Sequence, residues 1–539
     1  MVDPVSIVTL VDLCLKYGKE IVQIFSAYMK AESKFKERKS RFDNYWIRTK
    51  IQLQLLKDIH DTLGEEHQDV QQTTLEILST KLLIARDTIA KCMIQREDES
   101  VIRKFKYAFS EQKIDKALQE LELWQDLFDP SWFLIVRAES RRIDEALESR
   151  LRDSTHKIHN PLVSARLLRS AFHSDPSAKV EKIPIFQLEE HLNSLQLSNI
   201  PLSSALIGER PDSQRLPLVL ERLEPSPGTN LEKLEKDIED LGRKLRHSDA
   251  LKFGLLNCKG IVRHDFENPD ESNRAKFTAL TFLFYVPAGF SQPRSLRKCL
   301  NSITRPDSLS DRLNIARDLV RAVNYVHVFG FVHKNMRPET ILLLKGGFSS
   351  IGSAFLIGFD KFRAADGETL RQGDSAWERS LYQHPDRMGI SPKEDFIMQH
   401  DIYSLGVCLL EVGLWQSFVN YDDVDKSFFS SSGQKPRAIR TSLLGMHTQP
   451  SSFKGRLLSL AREELKTIMG SCYSEVVETC LTCLDPGNLD FGDERAIRDE
   501  NGILVGVRYI EKVCAPSRVF KKQSLKVTQV SMRLNAIVI

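Results

Sequence analysis

The chain has no run of the roughly 18 consecutive apolar residues that a membrane-spanning helix requires. Lys, Arg, Asp or Glu interrupts every hydrophobic stretch of its 539 residues, so a bilayer-spanning protein is not expected. It also has little net charge. Against 76 basic residues stand 73 acidic ones, a balance of +3, so no whole-molecule field points to nucleic acid and any basic site must be local. Cysteines are few and odd in number: nine, scattered from Cys14 to Cys514 in mostly apolar surroundings. That suits buried thiols in a reducing compartment better than a disulfide framework. The one close pair, Cys480 and Cys483, lacks a second ligand pair and a strand-to-helix redox context, so packing is expected there and a metal is not. The opening Met1-Val2-Asp3-Pro4 places an acid where a secretory leader would be basic, and the expected address is cytoplasmic. Internal repeats and low-complexity tracts are absent as well.

What is present is globular in character: 41% hydrophobic and 28% charged residues, with a mean hydropathy of -0.28. The length suggests two to four domains, with two preferred. Ile7, Leu10, Cys14, Tyr17, Ile21, Ile24 and Tyr28 fall at spacings of three and four, the stripe of a helix packed in a bundle. Further helical stretches are predicted over about 34–64 and 70–93, and around Ile114, Leu118, Leu121, Trp124 and Leu127 up to Pro130. Residues 1–150 thus read as an all-α helical bundle. Residues 151–180, mixed in His, Ser, Asn and Pro, read as a linker. The character then changes. Short apolar runs at 216–220, 260–262 and 280–286 read as strands, and helical patterns return at 313–320 and 401–411. The expected fold class is multidomain, an N-terminal helical bundle followed over 181–513 by an α+β bilobal unit, with an irregular tail at 514–539.

Phe331-Val332-His333-Lys334-Asn335-Met336-Arg337-Pro338-Glu339-Thr340-Ile341-Leu342-Leu343 resembles the catalytic loop of protein kinases, H-R-D with an Asn five positions after the Asp. Phe355-Leu356-Ile357-Gly358-Phe359-Asp360 falls where kinases carry D-F-G. Tyr382-Gln383-His384-Pro385-Asp386 resembles the A-P-E anchor, so Pro385 and Asp386 are expected to be structural. Asp401 resembles the acid that opens the buried helix of the larger lobe and supports the catalytic loop. Residues 283–289 resemble the hinge, with Tyr285 facing the nucleotide cleft and Ser295-Leu296-Arg297 opening the next helix.

The departures from the family pattern remove chemistry. Asn335 replaces the base that accepts the substrate proton, and an amide cannot do so near neutral pH. Thr340 replaces the magnesium-holding Asn. Gly358 replaces the magnesium-bridging Asp and Phe359 keeps the packing role. Asp360 comes two positions late, and the octahedral demands of magnesium argue against a site rebuilt on it. No G-x-G-x-x-G appears upstream. The nearest candidate for the phosphate-binding lysine is Arg222, with Glu235 or Glu239 as its partner. The resemblance therefore implies a pseudokinase with no catalytic residue, no metal and no required cofactor. Weak ATP binding, or residual phosphotransfer of a Ser/Thr-type kinase, stays as the alternative.

The N-terminal stretch, with Asp3-Pro4-Val5-Ser6-Ile7, 10–18 and Trp124-Gln125-Asp126-Leu127-Phe128-Asp129-Pro130-Ser131-Trp132, is similar to the HeLo-type helical domains of filamentous fungi. A bundle joined to a pseudokinase resembles the mixed-lineage kinase-domain-like cell-death effectors. The resemblance implies signalling in fungal cell death or nonself recognition and protein partners, among them self-association through the bundle. It also implies recruitment to anionic lipid at the plasma membrane, with no nucleic acid; a plain scaffold is the other class. Lys30, Lys34, Lys36, Arg38, Lys39 and Arg41 form a basic cluster beside the first helix, which anionic lipid would attract by about 1 kcal/mol per residue. Glu32 and Glu37 lie within the cluster, and a solvated helix face or loop is the commoner explanation of it. Residues 514–531 suggest no function.

Overall fold

The computed structural model describes residues 6–27, 33–63, 65–94, 112–118, 120–121, 140–153, 161–172, 184–187, 190–210, 216–225, 228–265, 277–301, 308–346, 351–364, 376–389, 392, 394–421, 436–438 and 450–488. They fall into two compact units, one within Met1–Asp175 and one within Pro176–Val505.

The first unit is helical: α1 (Ile7–Ala27), α2 (Ser33–Ile59), α3 (Glu65–Ile94), a turn at 112–118, α4 (Arg141–Asp153) and α5 (Pro161–Phe172). The periodic stripe of α1 is its buried face, through Ile7, Leu10, Cys14, Ile21 and Phe25. The Ser6 hydroxyl begins the helix by accepting from the Thr9 amide at 3.3 Å. Gly18 lies on the same stripe because α2 crosses there; a Cβ would fall inside the ring of Trp46. Trp46 stacks on Phe42 with centroids 5.9 Å apart, and Phe42 meets Phe25 at 6.2 Å.

The basic cluster is partly spent inside this unit. Arg38 is buried and bidentate on Asp115 at 2.8 Å, and Lys39 pairs with Asp43. The expected linker is also partly structured. Pro161 starts α5, which buries Leu162, Ala165, Leu168 and Arg169, the last gripping Asp144 at 2.6 and 2.8 Å, so the helical unit runs past 150. Among the described residues no helix is long and apolar enough to cross a membrane. Trp124, Leu127, Pro130 and the tail from 514 lie outside the described residues.

The second unit opens with a six-stranded sheet in the order β1-β5-β6-β4-β3-β2: β1 (Phe186–Gln187), β2 (Gln196–Asn199), β3 (Leu206–Glu209), β4 (Leu218–Leu223), β5 (Cys258–Asp265) and β6 (Phe277–Tyr285). Only β1 joins it in parallel. The expected strands at 216–220, 260–262 and 280–286 are thus β4, β5 and β6. Helix α6 (Leu231–Arg246) lies between β4 and β5 in sequence and packs on β5. Its N-cap is Asn230, whose side chain accepts from Lys233 N at 3.0 Å.

A more helical part follows. β7 (Ser291–Ser295) leads into α7 (Leu296–Leu300), capped by Ser295 as expected, and α8 (Leu309–Val328) precedes β8 (Phe331–Val332), β9 (Ile341–Lys345), β10 (Ser353–Leu356) and β11 (Arg363–Ala364). α9 (Met398–Leu414) is buried along its whole length, which explains its near-continuous apolar composition. α10 (Ser471–Leu481) packs on it, so that Cys480 fills the space at Gly406 and Cys483 reaches the Gln399 carbonyl at 3.2 Å.

Gly18→Ala is expected to destabilise the helical unit by about 1–3 kcal/mol through overpacking. Trp46→Leu, costly by itself, should recover part of that loss when combined with it. Calorimetric unfolding of the two single variants and the double variant checks this coupling.

Candidate functional site

The residues that the sequence singles out converge where β8, β9 and β10 meet α9. Asp401, on the first turn of α9, is fully buried. Its Oδ2 accepts from His333 N at 2.8 Å and from His327 Nε2 at 3.1 Å, and its Oδ1 accepts from Lys334 N at 2.9 Å. Two successive amides can turn to one carboxylate because Lys334 adopts φ +64°, a left-handed conformation costly for a non-glycine residue. Burial alone would raise the Asp401 carboxyl, but His327, His333 and the donated bonds outweigh it and hold it below the ordinary carboxylate range. Burial lowers His333 instead, keeping it neutral. Its Nε2 donates to Ile357 O at 2.9 Å and its Nδ1 accepts from Asn335 N at 3.3 Å.

Asn335 is committed at both ends of its amide. Nδ2 donates to Asp360 Oδ1 at 2.6 Å, and Oδ1 accepts from Arg337 Nε at 2.9 Å. Thr340 bonds inward, its hydroxyl donating within the loop to the carbonyls of Asn335 at 2.8 Å and Arg337 at 2.9 Å. Gly358 adopts φ +95° with the Thr340 methyl where a Cβ would stand, so a side chain is excluded there on two grounds. Phe359 is buried between Phe282, Phe284, Phe362 and His333, with centroids 5.0 to 6.5 Å away.

The other candidates lie elsewhere. Arg222 turns to solvent and pairs with Glu224, while Glu235 pairs with Arg263 and Glu239 with Arg243, so neither glutamate meets Arg222. Tyr285 is 39% exposed at the end of β6. Pro385 opens a short 3-10 turn, and Asp386 beside it is half exposed with His384 of its own segment as partner at 3.2 Å. That segment is held by Tyr382, whose hydroxyl donates to Glu411 Oε2 at 2.8 Å.

Two features are absent from the sequence expectations. The first is Glu221 on β4, 1% exposed, whose Oε2 accepts from Gly358 N at 3.0 Å. Its Oε1 is buried without a hydrogen-bond partner. Burial first, and Asp360 second, push this carboxyl up to about 8 against the help of the backbone amides of Gly358, Phe359 and Asp360. The second is a buried cluster on Arg297, which donates to Glu339 at 3.0 and 3.3 Å, to Glu411 at 3.1 Å, to Tyr382 Oη at 2.6 Å and to Ser417. Burial raises Glu339, yet Arg297 and Arg337 hold it down at about 2; burial prevails at Glu411, which is raised. One cation thus serves one ionised carboxylate and a second carboxyl biased towards its acid form.

The loop between β2 and β3 closes over this region. The Ser203 hydroxyl donates to Glu339 O at 2.9 Å, the Ser295 hydroxyl donates to Pro201 O at 2.6 Å, and Leu202 between them has φ +55°. Among the described residues no group of three or more His, Cys, Asp or Glu side chains is placed to hold a metal. A search against models of known protein families finds no match for this chain.

Asp401→Asn turns an amide NH2 towards backbone donors and is expected to cost about 3 kcal/mol or more. The Asp401 carboxyl sits below its ordinary range, so its contribution is present above the unfolded carboxylate pKa and is lost as pH falls. Urea unfolding should therefore show the gap between native and variant protein greatest near neutrality and shrinking below about pH 4.

Proposed function

We propose that residues 181–513 are a kinase-like domain that does not transfer phosphate and acts as a signalling module for the N-terminal bundle. Asn335 carries this reading. It stands where the resemblance requires a base, and its amide, spent on Asp360 and Arg337, cannot accept a substrate proton.

Several observations support it. A sheet with one long helix, α6, between its strands precedes a more helical part, and the His333–Thr340 loop is held by a buried aspartate, as the resemblance implies. Glu221, rather than Arg222, faces the Gly358–Asp360 turn, so a phosphate entering there meets carboxyls instead of a cation. The β2–β3 loop is tied to the Glu339 carbonyl and the Ser295 hydroxyl, which holds it beside the His333–Thr340 loop.

For the bundle we propose the effector role that its HeLo-like sequence implies, in fungal cell death or nonself recognition. Its partners are other copies of itself and anionic lipid at the plasma membrane. The α1 stripe supports this reading as a surface that is covered while the bundle is closed and apolar if released.

Full-length protein incubated with labelled ATP and Mg²⁺ or Mn²⁺ is expected to transfer no phosphate to itself or to general substrates. Transfer that an Asn335→Ala variant loses would overturn the non-catalytic reading. For the bundle, the chain ending at Asp175 should release dye from anionic vesicles more than from neutral ones, with the full-length chain suppressed. Absence of release from both, with helical content intact by circular dichroism, favours a scaffold.

A further inference from the structure

The acid at position 221 has surroundings that do not suit an ion. It is 1% exposed, β6 pairs Phe282 with it across the sheet, and the Phe359 ring lies 6.5 Å from Phe282. The nearby charges are directed elsewhere. On β4, Arg222 pairs with Glu224 in solvent. On α6, Glu235, Glu239 and Asp240 are taken by Arg263, Arg243 and Lys244. In the loop after β8, His333 is neutral and Arg337 reaches Asn335. The turn itself brings the Asp360 carboxylate, which repels a second negative charge.

The Gly358–Asp360 turn is anchored on one side by Phe359 in its aromatic cage and tied on the other to β4 through Gly358 N and Glu221. A neutral acid can accept that amide bond and stay dry. A carboxylate in the same place has amides of the turn to accept from but no cation, is buried and faces Asp360. Its charge is therefore relieved further by admitting water, which means parting the turn from the strand.

We propose that Glu221 is a proton-operated latch: protonated, it holds the Gly358–Asp360 turn against β4, and on ionisation it lets the turn go. The latch rests on the burial of Glu221, its bond from Gly358 N and the neighbouring Asp360, and stands whether or not the kinase-like reading does. It makes the conformation of the turn depend on the protonation of a residue of the chain itself.

The direction follows from linkage. The closed form binds the proton more tightly than the open form, in which Glu221 is an ordinary carboxylate titrating near 4.5. Between that pH and about 8 each added pH unit should multiply opening roughly tenfold, and above it opening should level off.

Amide hydrogen exchange of the full-length protein, read by mass spectrometry in the peptide spanning 357–361 and corrected for the intrinsic rate, measures this opening. Native protein is expected to lose protection about tenfold per pH unit from pH 5 to 8 and to plateau above. Glu221→Gln, which cannot ionise, should keep protection independent of pH. Asp360→Asn retains the latch residue but removes the opposing charge, and should reach its plateau at lower pH; it also serves if the Gln variant does not fold. Equal slopes in native and Glu221→Gln protein, or protection in native protein that does not vary with pH, would overturn the proposal.

Discussion

The second unit depends on one buried carboxylate. Asp401 sits at the start of a helix that is buried along its whole length, and its two oxygens accept three donors from α8 and from the loop after β8. The left-handed Lys334 exists because both amides beside it turn to that acid. The loop then places Asn335 against Asp360, Thr340 under Gly358 and His333 against Phe359. An interior acid would be a liability unpaired. Satisfied three times, it fixes the loop after β8, and the placement of His333, Asn335 and Thr340 follows from it.

Around that frame His333, Phe359 and Asp401 pack or bond within the fold. Under the proposed reading, the positions that would move a proton or hold a metal carry an amide, a hydroxyl and a glycine. A buried acid also stands on β4 facing a second acid. Arg297, fully buried, is locked between Glu339, Glu411 and Tyr382, where it ties α7 to α9.

Much of this was legible in the sequence because it is local. A helical stripe such as Ile7 to Phe25 is set by its period, and the segments 331–343 and 355–360 each carry their own order of turn and strand. What failed to show was long-range. On β4, adjacent residues point to opposite faces, so choosing Arg222 over Glu221 reverses the side on which the charge falls. A basic residue fits the expected role better, and nothing near Glu221 in the chain says that Gly358 will donate to it. Arg297 was missed for a similar reason, since its partners lie 42, 85 and 114 residues away and a fully buried arginine is rare. Helix α5 falls in the stretch read as linker because that stretch mixes His, Ser, Asn and Pro with few periodic apolar residues, although its Pro161 is well suited to the first turn of a helix.

Under the proposed reading the second unit takes no nucleotide, since the β2–β3 loop is tied to Glu339 and Ser295 and a carboxyl, Glu221, faces the Gly358–Asp360 turn. Isothermal titration of the full-length protein with magnesium and ATP tests it most directly. The account predicts no saturable heat up to millimolar nucleotide. Stoichiometric binding at micromolar concentration would contradict it.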